Sequence, residues 1–148
     1  MASYSFYQLS VTPIEKALPR LIEKIYKSGF RVLIVPDSQN KLELYNTCLW
    51  TYTPLGFLPH DYQGNASEHP IWLALEPINF NSAEVIVFPD GNPNDSVTDD
   101  YKKSVVIFDS NIPEQVNACN ACISSQSKLH VKYWQQDSHG QWQNKNQL

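Results

Sequence analysis

The chain has 148 residues, of which 42% are hydrophobic and 18% charged, and its formal net charge is −4. That length suits one domain able to bury roughly two-thirds of its unfolded surface without a disulfide or metal staple. No apolar run approaches the ~20 residues of a membrane-spanning helix, and the acidic balance argues against a polycation built to grip phosphate backbones.

The opening residues, Met-Ala-Ser-Tyr-Ser-Phe-Tyr-Gln-Leu, lack the basic start and apolar stretch of a signal peptide, so a cytoplasmic location is expected. Three cysteines, an odd number, fit a reducing compartment. The charge is unevenly spread. Between Leu42 and Tyr101 there is no Lys or Arg, while Glu43, Asp61, Glu68, Glu76, Glu84, Asp90, Asp95, Asp99 and Asp100 all lie there. Any link of this middle region to DNA is expected to pass through another protein.

In chain order, Ser5 to Val11 reads as a first strand. A helix follows, with Thr12 as N-cap, Glu15 completing a capping box and Pro13 at the first helical position. Ile14, Ala17, Leu18, Leu21, Ile22, Ile25 and Tyr26 form its apolar face, and Ser28-Gly29 ends it. Pro19 lies inside this pattern and predicts a kink or a widened first turn. Phe30 to Val35 is a nearly continuous β-branched and apolar run, the mark of a strand covered on both faces. Asp37 or Ser38 caps a second helix with Leu42, Tyr45, Cys48 and Leu49 on its apolar side, stopped by Thr51 to Pro54.

The stretch from Leu49 to Leu75 then gathers three prolines, two tryptophans, two tyrosines and two histidines between a helix and a strand. Large apolar rings in a connection must fold back on the core or meet a partner. Its first half reads as a binding surface, and Ile71-Trp72-Leu73 as a buried strand. Val85 to Phe88 and Val105 to Phe108 are further strands, separated by an acidic, turn-rich loop from Asp90 to about Asp100. Asn111 and Pro113 start a third helix carrying Val116, Cys119 and Ile123, and Leu129 to Trp134 alternates as a last strand. A Ser138-His139-Gly140 turn leads to Trp142 and a tail expected to fray from about 143. With no repeat or linker, residues 1–148 read as a single α/β domain with a mainly parallel central sheet flanked by helices.

Open parallel sheets bind ligands at their strand ends, yet neither the phosphate-loop nor the dinucleotide glycine signature occurs. Cys119-Asn120-Ala121-Cys122 has redox-pair spacing, but it falls inside a predicted helix rather than at a helix start, so core cysteine is the better reading. His60-Asp61 and Glu68-His69 flank one loop and define a second function class, a small metal-dependent or nucleotide-processing enzyme using the His60–His69 loop. Their spacing matches no compact ligand motif, and a loop histidine more often packs and hydrogen-bonds. Lys16, Arg20, Lys24 and Lys27 form a basic stripe along the first helix, either a solvated face or a dock for an acidic peptide.

Phe6-Tyr7-Gln8-Leu9, Leu18 to Lys24 with Gly29 to Leu33, Leu49-Trp50, Phe57-Leu58-Pro59-His60, His69 to Leu73, Asp90-Gly91 and Tyr133-Trp134-Gln135-Gln136-Asp137 with Gly140 and Trp142 together resemble the chi subunit family of the bacterial DNA polymerase III holoenzyme. The resemblance implies a fold similar to nucleotide-binding domains but without their phosphate loop, no catalysis and no cofactor. It further implies a place in the clamp-loader complex, where such a subunit pairs with psi and tethers the polymerase to the acidic C-terminal tail of single-stranded DNA-binding protein. DNA contact is then only indirect, and no membrane is involved. By the same resemblance, Trp50, Phe57, Pro59 and His60 face a protein partner. Some family members receive the acidic tail on basic residues of the helix near the C-terminus, whereas Pro113 to Ser127 holds none here. The charge must then come from Arg20 and Lys24 or from Lys128 and Lys132.

Overall fold

A computed structural model describes residues 3–51, 60–61, 69–78, 81–91, 101–125 and 131–144. The elements are β1 (Ser3–Leu9), α1 (Ile14–Lys27), β2 (Val32–Ile34), α2 (Gln39–Thr51), β3 (His60–Asp61), β4 (Ile71–Leu73), β5 (Val85–Phe88), β6 (Lys103–Asp109), α3 (Pro113–Ser125), β7 (Val131–Gln136) and β8 (Trp142–Asn144). The strands form one eight-stranded sheet in the order β3-β4-β2-β5-β6-β1-β7-β8. All pairs are parallel except β7 with β8. The expected mainly parallel α/β sheet is what folds.

Alternation along the strands divides the core into two layers. Leu9, Val32, Ile34, Ile71, Leu73, Val85, Val87, Val105 and Ile107 pack under α1 and α2, whose Ala17, Leu18, Leu21, Ile22, Leu42, Tyr45 and Leu49 complete that layer. Tyr4, Phe6, Leu33, Val35, Trp72, Ile86, Phe88, Val106 and Phe108 face the other way, toward Cys119 and Cys122 of α3. Both faces being covered explains why β2, β5 and β6 are apolar at nearly every position. Ile71-Trp72-Leu73 is the buried strand that its composition announces, with Trp72 only 6% exposed. Cys119 and Cys122 are free and buried, and burial first, then the neighbouring Cys122, pushes the Cys119 thiol up to about 12. Such thiols are core groups rather than nucleophiles.

Two features of α1 differ from the pattern-based reading. Its N-cap is Pro13, with no side-chain cap hydrogen bond, because the Thr12 hydroxyl accepts instead from Gln136 Nε2 at 2.6 Å. The helix also runs uninterrupted through Pro19, which is buried. Two short strands, β3 and β8, carry too few residues for any alternation to register.

Buried polar side chains hold the strand ends. Asp90, just past β5, has a side chain 1% exposed and accepts hydrogen bonds from the Asp37 backbone N–H (2.9 Å), Lys41 Nζ (3.3 Å) and the Tyr45 hydroxyl. Burial first, and then this bond to Asp90, push the Tyr45 phenol far above its ordinary range, so it stays a donor. At Gly91, with φ +62°, an added Cβ would lie 2.7 Å from Gln115 Cβ of α3. The Asp90-Gly91 pair thus pins α2 with one residue and lets α3 close in with the next. At the opposite sheet end, Arg31 donates to the carbonyls of Asn81 (2.7 Å) and His69 (3.1 Å), tying the starts of β2, β4 and β5.

Candidate functional site: a cationic and aromatic cleft beside helix 1

The β1–α1 turn sets one end of the site. Gln136, buried at the end of β7, accepts from three consecutive backbone N–H groups, those of Ser10, Val11 and Thr12, each at 3.1 Å. Its Nε2 donates to Thr12 Oγ1 and to the Gly140 carbonyl, while Ser10 Oγ donates to the Gln136 backbone oxygen. Convergent N–H groups at such a turn form an anion-binding concavity in many sheet proteins. Here the chain's own amide oxygen occupies it.

Beyond the turn, Asp137 shapes the β7–β8 hairpin. Its carboxylate accepts from the backbone N–H of Gln141 (2.9 Å) and His139 (2.8 Å), and these bonds hold it below the ordinary carboxylate range. Gly140 takes φ +81° to close the turn. The hairpin carries Trp142 back over β1, where it meets Tyr7 edge-on at 5.2 Å and 86°. Trp134 of β7 lies parallel to Tyr7 at 6.2 Å and 9°, as the pairing of Tyr7 with Trp134 in the β1–β7 register requires.

These three half-buried rings floor a cleft of about 290 Å³ whose other wall is α1, with Ala17, Leu21, Arg20 and Lys24. Arg20 and Lys24 are exposed on that wall. Strand period places Lys132 on the same face of β7 as Trp134. Lys103 begins β6 on the face of Val105 and Ile107, beneath α1. Burial first, and then the charges of Lys132 and Lys24, hold the Lys103 ammonium below its ordinary value. Lys24 of α1 and Lys132 of β7 therefore each stand near enough to Lys103 of β6 to disfavour its charge. Among the described residues, the ion pairs are Lys27–Glu23, Lys41–Asp90 and Lys102–Glu84, so none of Arg20, Lys24, Lys103 and Lys132 has a carboxylate partner.

A family model described as "DNA polymerase III chi subunit, HolC" matches residues 1–124 of the 148. The chain belongs to the DNA polymerase III chi subunit family. The "Probable DNA polymerase III subunit chi" of Rickettsia prowazekii (strain Madrid E) is 36% identical over 89 residues, which is 59% of this chain and 54% of the relative. The chain thus spans about half the length of the curated relative that it matches. The chi-family match ends inside α3, so the half of the cleft formed by β7 and β8 lies beyond it.

The sequence-based expectations for this chi-family chain distribute unevenly over the structure. Arg20 and Lys24 line the cleft, and Lys132 lies on the same face of β7 as the cleft residue Trp134. Lys128, Phe57 and Pro59 lie outside the described residues. Trp50 belongs to α2 and His60 to β3, with their side chains outside the described set. For the enzyme alternative, the His69 ring stacks on Trp72 at 5.5 Å, and the described residues contain no group of three His, Cys, Asp or Glu arranged to hold a metal. No helix among the described residues is long and apolar enough to cross a membrane.

Sequence reasoning missed Tyr7 and Gln136 as cleft residues. Their signal was present, since polar and aromatic side chains alternate with core residues in β1 and β7, but which helix would stand over that face was not encoded locally.

Proposed function

We propose that this chain is a non-catalytic accessory subunit of the DNA polymerase III clamp-loader assembly, acting in DNA replication in the cytoplasm through protein–protein contacts. It bridges psi and the acidic C-terminal tail of single-stranded DNA-binding protein, and touches DNA only through that partner. Family membership supplies the replication context, and the observation that carries the adaptor reading is the cleft whose Arg20 and Lys24 have no carboxylate partner among the described residues and stand above an aromatic floor. Arg20, Lys24, Lys128 and Lys132 receive the tail. Trp50, Phe57, Pro59 and His60 form the second surface, for psi or another clamp-loader subunit.

The test is a fluorescence anisotropy titration of the full chain with an acidic peptide ending in Pro-Phe. Charge reversal at Arg20 and Lys24 together is expected to weaken binding at least ~10-fold, with rising salt weakening the wild type in parallel. Binding unaffected by that reversal removes this face as the tail site. For the second surface, Trp50→Ala and Phe57→Ala should abolish capture of psi in a pull-down while leaving the thermal midpoint within a few degrees. Unfolding of both variants would make those rings core and end that assignment.

A further inference from the structure

We infer that Asp90 is a positioning residue for partner capture: by holding Lys41 and Tyr45 it sets the rotation of α2, and with it the side of that helix on which Trp50 stands. This rests on the reading of Trp50, Phe57, Pro59 and His60 as the second protein-facing surface and adds the buried group that orients it.

Helix α2 lacks charges of its own where a helix dipole favours them, with no acidic residue in its first turn and no basic residue in its last. Asp90 supplies the missing anion from the end of β5. Its carboxylate, 1% exposed, accepts from the Asp37 backbone N–H at 2.9 Å, from Lys41 Nζ at 3.3 Å and from the Tyr45 hydroxyl. The donors are spaced by four residues, so Lys41 and Tyr45 stand one turn apart on one line of the helix, with Asp37 at its entry. Leu49, 2% exposed, continues the same line.

A line of hydrogen bonds to one fixed point resists rotation as well as detachment. Apolar burial alone specifies rotation loosely, because hydrophobic attraction has no direction. Turning α2 by one residue, about 100°, would carry both donors away from the carboxylate. Asp90 is itself held in place, since β5 pairs with β2 on one side and β6 on the other, and the Gly91 N–H donates to the Ile107 carbonyl at 2.9 Å. Trp50 is the penultimate residue of α2, so the rotation of the helix decides where it stands. The chain rejoins the sheet at His60, which pairs with Ile71 of β4, and α2 packs on β3 there. Asp90 thus sets where the partner segment leaves, and β4 sets where it returns. Glu43 gives the contrast on the same helix, an exposed carboxylate off that line.

The experiment measures the affinity of the full chain for psi, the partner proposed above for that surface, at a temperature well below the thermal midpoint of every variant. Asp90→Asn and Tyr45→Phe change the buried bond with little change of shape, and each should weaken psi binding roughly fivefold or more. Glu43→Gln loses one negative charge as Asp90→Asn does, and should change affinity by less than about twofold. Val131→Ala truncates the core in β7, which β5, β6 and β1 separate from β2, and should lower the midpoint while leaving affinity unchanged. By linkage, psi should slow hydrogen exchange of the α2 amides in the wild type, and that added protection should shrink in Tyr45→Phe. If Asp90→Asn does not fold, Tyr45→Phe and Lys41→Gln, whose side chain is 40% exposed, carry the test with the same expected weakening. Unchanged affinity in the latch variants overturns the positioning role and leaves the second surface standing. An equal loss in Val131→Ala also overturns it, because affinity then follows stability alone. Failure of psi to bind the wild type overturns both.

Discussion

Gln136 shows how one side chain can decide the shape of a site that lies far from it in sequence. Its amide oxygen satisfies three backbone donors and its nitrogen two acceptors. Buried donors left without a partner cost ~1–3 kcal/mol each, so Gln136→Met should destabilise the protein by about 3 kcal/mol or more in urea titrations. Gln136→Glu should cost far less, because a carboxylate also accepts from all three N–H groups and can accept from the Thr12 hydroxyl. Equal loss in both variants would mean that volume, not hydrogen bonding, sets the value of this position. The same residue corrects the expected capping box: the sequence pattern has Thr12 serving α1, and in the fold its hydroxyl serves Gln136, leaving Pro13 to open the helix through its fixed φ.

At the scale of elements, α2 matters because it ends at Thr51, directly before the segment proposed above to meet a partner. Its amphipathic signal is weak, and its position depends on Asp90 reaching from β5 to the Asp37 N–H, Lys41 and Tyr45. Asp90→Ala should strand the buried Tyr45 hydroxyl and lower stability by ~3–5 kcal/mol. Hydrogen exchange should show α2 losing protection before α1, and uniform loss across both helices would mean that Asp90 holds the whole domain rather than this helix. Asp90-Gly91 contributed to the family resemblance as two adjacent letters. Their physical content is an anchor followed by a position where Gln115 leaves no room for a Cβ.

Across the whole molecule, the strand–helix alternation was legible because each element obeys a local period, and the two-faced burial of β2, β5 and β6 follows from apolar runs that no exposed strand would carry. The site was legible only in fragments. Arg20 and Lys24 stand on one helix face, and Lys132 lies more than a hundred residues later. What joins them is strand order, with β1 between β6 and β7, and no periodicity encodes which strands become neighbours. For the same reason Lys103 escaped notice, its charge gaining meaning only from what packs above it.

The central place of β1 also dictates when the chain can fold. β1 pairs on one side with residues 103–109 and on the other with residues 131–135. A nascent chain must therefore keep an aromatic, aggregation-prone segment waiting until residues more than a hundred positions later have emerged. A chain ending at residue 124 should still align β1 on β6 but leave its other edge bare, and is expected to associate or precipitate where the full chain stays monodisperse in light scattering. The requirement falls on the cell as well: during synthesis at ~5–20 residues per second β1 spends several seconds unpaired. Completion of the domain and assembly of its cleft become one late event, so a prematurely terminated chain lacks the site altogether.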